Sequence, residues 1–136
     1  YVSSTNEGGP NPRGNGEDGY VLITGTQPGT TSSTTIVSNA FTAGSTPTSS
    51  RIVVFQEDVA STTLNTDVIA SVSRDGGSNF TTITLADSGY VTGASGQRIL
   101  TGTANISGQP SGTSMRWKLA LANNASKIHG VSLQWK

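Results

Sequence analysis

In residues 115–121, MRWKLAL, the side chains of Met115, Trp117, Leu119 and Leu121 alternate with Arg116, Lys118 and Ala120. Successive side chains of an extended chain point to opposite faces, so a period of two marks a strand with one face buried. An amphipathic helix needs apolar residues three and four apart, and no stretch of this chain shows that convincingly. A chain made only of such strands must bury them sheet against sheet.

The same reading extends along the sequence. YVLIT (20–24) is a short β-rich run ended by Gly25 and the Gln27-Pro28-Gly29 turn. TTIVSNAFT (34–42) follows, and then RIVVFQED (51–58), which is apolar on both faces and reads as a central, buried strand. In DVIASVSR (67–74), Val68, Ala70 and Val72 share a face. Asp75-Gly76-Gly77 reads as a hairpin turn, since glycine tolerates the positive φ of a chain reversal. FTTITL (80–85) returns with Ile83 and Leu85 inward, and residues 86–97 read as a glycine-rich excursion carrying Tyr90. RILTGTANI (98–106) places Leu100, Ala104 and Ile106 together. SGQPSG (107–112) and NNASK are turns, and IHGVSLQW (128–135) puts Val131, Leu133 and Trp135 on one side, with His129 in phase with them. Eight short strands predict an all-β, two-sheet antiparallel sandwich of jelly-roll type, and no fixed repeat suggests a solenoid.

Composition fits that architecture. The chain's 136 residues suggest one domain, large enough to bury roughly two-thirds of its unfolded surface. Hydrophobic residues are 32% and charged residues 12%, with Ser, Thr, Gly and Asn filling the difference. Disorder of low-hydrophobicity chains goes with high net charge, and here the formal charge is zero. The neutral balance provides no field for nucleic acid, and apolar runs of about four residues are far short of a membrane span. Without cysteine there is neither a disulfide framework nor thiolate chemistry. Residues 1–19, rich in glycine, proline and asparagine, read as a flexible arm or linker ahead of a sandwich at 20–136, with Tyr1 and Val2 able to anchor the arm on a neighbour. The start at Tyr1 suggests a processed product or a piece of something longer, and the strand closing at Trp135-Lys136 suggests the C-terminus.

Candidate chemistry is sparse. A nucleophile–base pair needs a base, and the only histidine, His129, carries no supporting motif and reads as structural. Hydrolysis of a glycoside needs two facing carboxylates. Past the arm the carboxylates are Glu57, Asp58, Asp67, Asp75 and Asp87, all at strand ends, turns or loops where solvated or capping groups are ordinary. Glu57 and Asp58 with a loop carbonyl are a conceivable calcium site, but no loop with spaced acidic ligands supports it. Trp117 and Trp135 fall in phase with core residues, which leaves Tyr90 as the one candidate ligand-binding residue. Asn79, Asn105 and Asn124 begin glycosylation-like triplets, frequent by chance in such a composition. No catalytic residue, metal or cofactor is expected.

Ser73-Arg74-Asp75-Gly76-Gly77-Ser78-Asn79-Phe80 resembles the Asp-box of sialidase-type propeller blades, a folding element away from the active site. A single copy implies a structural turn in which Asp75 bonds its own backbone and Phe80 packs beneath it. More broadly, the SRDGG turn (73–77), the SGQPSGT turn (107–113) and the terminal IHGV-x-L-x-W strand resemble a β-sandwich domain at the C-termini of tail-fibre and related virion structural proteins of tailed bacteriophages. The similarity spans roughly residues 50–136. It implies a virion fibre, spike or decoration module outside the cell, packed against other virion proteins and copies of itself as a symmetric oligomer such as a trimer, and contacting a host-surface glycan. A carbohydrate-binding module using Tyr90 and the loops at 86–97, a polysaccharide hydrolase, and an extracellular filament subunit are the competing expectations.

Overall fold

The computed structural model describes residues 32–94 and 96–136. The expected arm (1–19), its Tyr1 and Val2 anchors and the strand at 20–24 lie outside the described residues.

Among the described residues there are nine strands and no helix: β1 (Thr34–Val37), β2 (Phe41–Thr42), β3 (Ser49–Asp58), β4 (Val68–Ser73), β5 (Thr81–Ile83), β6 (Ala86–Tyr90), β7 (Gln97–Asn105), β8 (Ser114–Leu121) and β9 (Ser126–Trp135). One sheet has the order β1-β8-β4-β5, with β2 also pairing β8, and the other has the order β6-β7-β3-β9. All named pairings are antiparallel. The two sheets pack face to face as the expected sandwich. Between them lie Val68, Ala70, Val72, Ile83, Met115 and Leu119 from the first sheet and Ile52, Val54 and Leu100 from the second. Burying an aliphatic side chain of this size stabilises the fold by about 1.5–3 kcal/mol, and this layer is the main favourable contribution.

The alternation at 115–121 places Met115 and Leu119 at zero exposure, with Trp117 and Leu121 packed against the core. The turn at Asp75–Gly77 joins β4 to β5 with φ of 79° at Gly76 and 98° at Gly77. In the NNASK turn, Asn123 and Asn124 occupy the left-handed region, which asparagine tolerates better than most residues.

Three expectations are corrected. The run at 34–42 is two strands: at Ser38 the amide still donates to the Trp117 carbonyl at 3.0 Å, but the Trp117 amide donates to Ser38 Oγ at 3.1 Å in place of the backbone carbonyl, and the regular pairing ends. The strand at 51–58 is central in its sheet but buried on one face only. Ile52, Val54 and Gln56 point at the core, whereas Val53 and Phe55, on the face turned away from the other sheet, are half-buried. The glycine-rich segment after Leu85 is not wholly a loop, since Ala86–Tyr90 forms β6 against β7. Its register shifts between Asp87 and Tyr90, where Gly89 has a φ of 100°, so this glycine serves a strand irregularity.

His129 is the fourth correction. Phe55 pairs with Gly130 and Gln56 with Ile128, so β9 carries one extra residue at His129. A bulge reverses inside and outside beyond it. Ile128, rather than His129, therefore joins Val131, Leu133 and Trp135 against the core, and His129 stands on the outer face.

Candidate functional site

The inward face of the second sheet changes from apolar to polar at one end. Gln56 continues the Ile52–Val54 row and is fully buried, yet each of its amide groups is engaged. Its Nε2 donates to Asp58 Oδ1 at 2.7 Å and Ser126 Oγ at 2.9 Å, and its Oε1 accepts from Arg98 Nε at 3.1 Å. Arg98 faces Gln56 across the β3–β7 ladder and reaches two carboxylates, Asp58 at 3.0 Å and Asp87 at 3.3 Å. A buried amide left without partners costs about 1–3 kcal/mol, so this network closes the core against water without an unsatisfied group.

Of the five carboxylates singled out by sequence, the fold thus brings together Asp58 and Asp87. Burial works to raise the Asp58 carboxyl, but hydrogen bonds from Gln56 and Thr62 and the Arg98 charge outweigh it and hold the group below its ordinary value. Glu57 lies on the outer face, where its Oε2 is 2.8 Å from His129 Nε2 and its Oε1 accepts from Lys127 Nζ at 3.4 Å. The hydrogen bond to His129 is the largest influence on Glu57 and lowers it. A glycosidase acid needs a carboxyl raised toward neutrality. Asp58 and Glu57 are shifted the opposite way, and the guanidinium of Arg98 occupies the space between Asp58 and Asp87.

Asp67 and Asp75 stand apart and cap turns. Asp67 accepts from the Thr63 amide at 2.7 Å and from Asn123 Nδ2 at 2.8 Å. Asp75 accepts from the Asn79 amide and from Ser73 Oγ, as the Asp-box likeness implied, and Phe80 lies beside the turn at Gly77 with Lys118 Nζ 4.1 Å from its ring centroid. The Asn79 side chain, first among these partners, draws Asp75 from 3.8 to about 2. Because the folded value is depressed, the capping contribution is complete above 3.8 and is lost as pH falls toward about 2. The stability difference between the native chain and Asp75→Asn is therefore expected to be largest near neutral pH and to close in acid. Urea denaturation across a pH series reads this, and a gap that stays constant with pH would contradict it.

Tyr90 is 65% exposed at the end of β6, where its cross-strand partner is Arg98. Trp117 and Trp135 pack against the core as expected, but each is only half-buried, and Trp135 also meets Phe41 with ring centroids 6.4 Å apart.

Two residues that sequence reasoning passed over organise the opposite end. Arg74, 5% exposed, follows β4, and its guanidinium donates to the carbonyls of Pro47 at 2.6 Å, Ser107 at 2.9 Å, Pro110 at 3.1 Å and Gln109. Gln109 returns the contact: its Oε1 accepts from the Arg74 amide and its Nε2 donates to Val72 O and Thr81 Oγ1. The SRDGG and SGQPSG turns, noticed separately in the sequence, are thus one bonded unit. No local pattern reveals this, because the partners are more than thirty residues apart.

Comparisons of this chain with family models, with curated proteins and with solved structures give no match.

Proposed function

We propose that this sandwich is a non-enzymatic module for assembly and surface attachment, of the kind found in bacteriophage fibres, spikes or decoration proteins. The extracellular virion setting rests on the sequence likeness of the SRDGG, SGQPSGT and IHGV-x-L-x-W segments. The observation that carries the assembly role is the β1–β2 edge. β1 ends its sheet among the described residues, and Ile36, Val37 and Phe41 there are exposed by 36%, 46% and 42%. An edge strand with apolar side chains and unpaired backbone groups is a template for another chain, and proteins that stay monomeric usually blunt such edges with charge. The occupant that fits is a second copy of this chain, giving a symmetric homo-oligomer. The carboxylates, held in caps and ion pairs, support binding rather than catalysis.

Sedimentation equilibrium of the full chain is expected to show a closed oligomer, and Val37→Glu is expected to dissociate it with an unchanged circular dichroism spectrum. A chain that stays monomeric at every soluble concentration would overturn this reading. A carbohydrate-binding role centred on Tyr90 is the second reading, favoured by the exposure of its ring beside the Arg98 network.

A further inference from the structure

The inner face of the second sheet runs past the core at one end, where Gln56, Asp58, Asp87, Tyr90 and Arg98 stand on the same side. Residues directly opposite each other across an antiparallel ladder share a face. Gln56 is opposite Arg98 and also opposite Ile128, which packs on the core. Arg98 is opposite Tyr90, and Asp58 follows Gln56 by two residues on the same strand. Asp87 is opposite the fully buried Leu100. On a regular strand Asp87 and Tyr90 would face opposite ways. Between these pairings β6 carries one residue more than β7, so both side chains turn to this face. Gly89, with its φ of 100°, allows the irregularity, and its amide donates to Asp87 Oδ1 at 2.8 Å. Bulges are common beside functional sites because they re-aim a side chain in this way.

At this end most donors are spent and the acceptors are not. Arg98 commits Nε to Gln56, Nη1 to Asp87 and Nη2 to Asp58. The Gln56 amide gives its donors to Asp58 and Ser126. Asp87 accepts from the Gly89 amide on one oxygen and from Arg98 on the other, so each oxygen keeps a free lone pair. The side chains of Asp58 and Asp87 are each 42% exposed, and Tyr90 beside them is the most exposed of the large apolar residues. Two carboxylates against one guanidinium leave this face with one net negative charge.

We infer that this end of the sandwich binds a neutral saccharide, with the Tyr90 ring against one face of a sugar and Asp87 and Asp58 accepting from its hydroxyls. A hydroxyl bonds a carboxylate more strongly than a neutral oxygen. Arg98 already holds both carboxylates in place, so binding orders few side chains. Tyrosine adds a large, rigid face at little entropic cost. An acidic saccharide would meet a face of its own charge, and a cationic ligand would have to lie beside the guanidinium.

The inference rests on the carbohydrate-binding reading of Tyr90 and adds the ligand class and the groups that select it. The test is an NMR titration of the full chain, following the Tyr90 ring protons and the Arg98 Nε–H. The probes are neutral gluco-, galacto- and manno-oligosaccharides, a hexuronate oligosaccharide and choline. Saturable shifts at both reporters are expected with at least one neutral oligosaccharide, and weaker or no shifts with the hexuronate and with choline. Asp87→Asn is expected to weaken that binding about tenfold or more, the scale of a lost charge-assisted contact, and Tyr90→Ala to weaken it at least as much. Arg51→Gln, on the outer face at the far end of β3, is the control and is expected to bind as the native chain does. Equal or tighter binding of the hexuronate or of choline overturns the inference. Binding lost in Tyr90→Ala but unchanged in Asp87→Asn also overturns it, while leaving Tyr90 as a sugar contact. Silence at both reporters with all three neutral oligosaccharides overturns the inference and the Tyr90 reading together, and leaves the oligomer measurement untouched.

Discussion

Replacing Arg74 with methionine is expected to destabilise the protein by about 3–5 kcal/mol, the range for breaking a buried charged network. Arg74 meets no carboxylate among the described residues. Its guanidinium donates to the carbonyls of Pro47, Ser107, Gln109 and Pro110. Methionine fills a similar volume but leaves those carbonyls without donors, at about 1–3 kcal/mol for each one that water cannot reach. Domain stabilities are typically 5–15 kcal/mol, so the variant retains only a fraction of the original. Thermal unfolding is expected to move down on the order of 15 °C. Arg74→Lys is expected to recover little, because a single ammonium cannot span carbonyls that the planar fork reaches from two sides. A loss below about 1 kcal/mol in urea denaturation would mean that water replaces the guanidinium and that the two turns hold without it.

Gly102→Ala is expected to cost about 3 kcal/mol, at the upper end of ordinary overpacking. Gly102 lies on β7 opposite Ile52, and a Cβ there would sit 2.5 Å from Ile83 Cγ2 of the facing sheet and 2.5 Å from the carbonyl oxygen of Thr84, in the link between β5 and β6. The Ile83 methyl could be relieved by a change of rotamer, but the Thr84 carbonyl is backbone and yields only if the link between β5 and β6 shifts. The urea midpoint is expected to fall with an unchanged slope, as for a loss of stability without loss of compactness. Adding Ile83→Ala is expected to give no rescue, because the backbone collision persists and a cavity is added. Gly108→Ala, where a Cβ meets nothing within 4 Å, is the control and is expected to be near neutral. Were Gly102→Ala equally neutral, the close approach of the Thr84 carbonyl to β7 would be wrong.

Both predictions concern residues whose importance cannot be read along the chain. Gly102 looks like a weakness in β7 until Thr84, in the link between β5 and β6, is placed against it. Arg74 looks like a solvated residue at the start of a turn. Its burial follows from the 107–112 turn folding over it, a contact between segments separated in the chain by β5, β6 and β7.

The sequence by itself determined that the chain forms strands, where most of them run, and which faces of β4, β7 and β8 turn inward. Those properties are local: side-chain alternation is set by the geometry of an extended backbone, and the Asp75–Gly77 reversal by the φ that glycine allows. Tertiary structure alone decided the rest. It made the run after Leu85 a strand because β7 offered a partner, and it turned His129 outward because β9 had to accommodate one residue more than β3. It also sorted the charges, joining Arg98 to Asp58 and Asp87 and leaving Arg51 beside Lys136 in an open cleft. The physical reason is that alternation fixes a strand's two faces only until pairing intervenes. Register, bulges and the meeting of side chains from different strands depend on contacts between segments far apart in the chain, and a period of two carries no information about them.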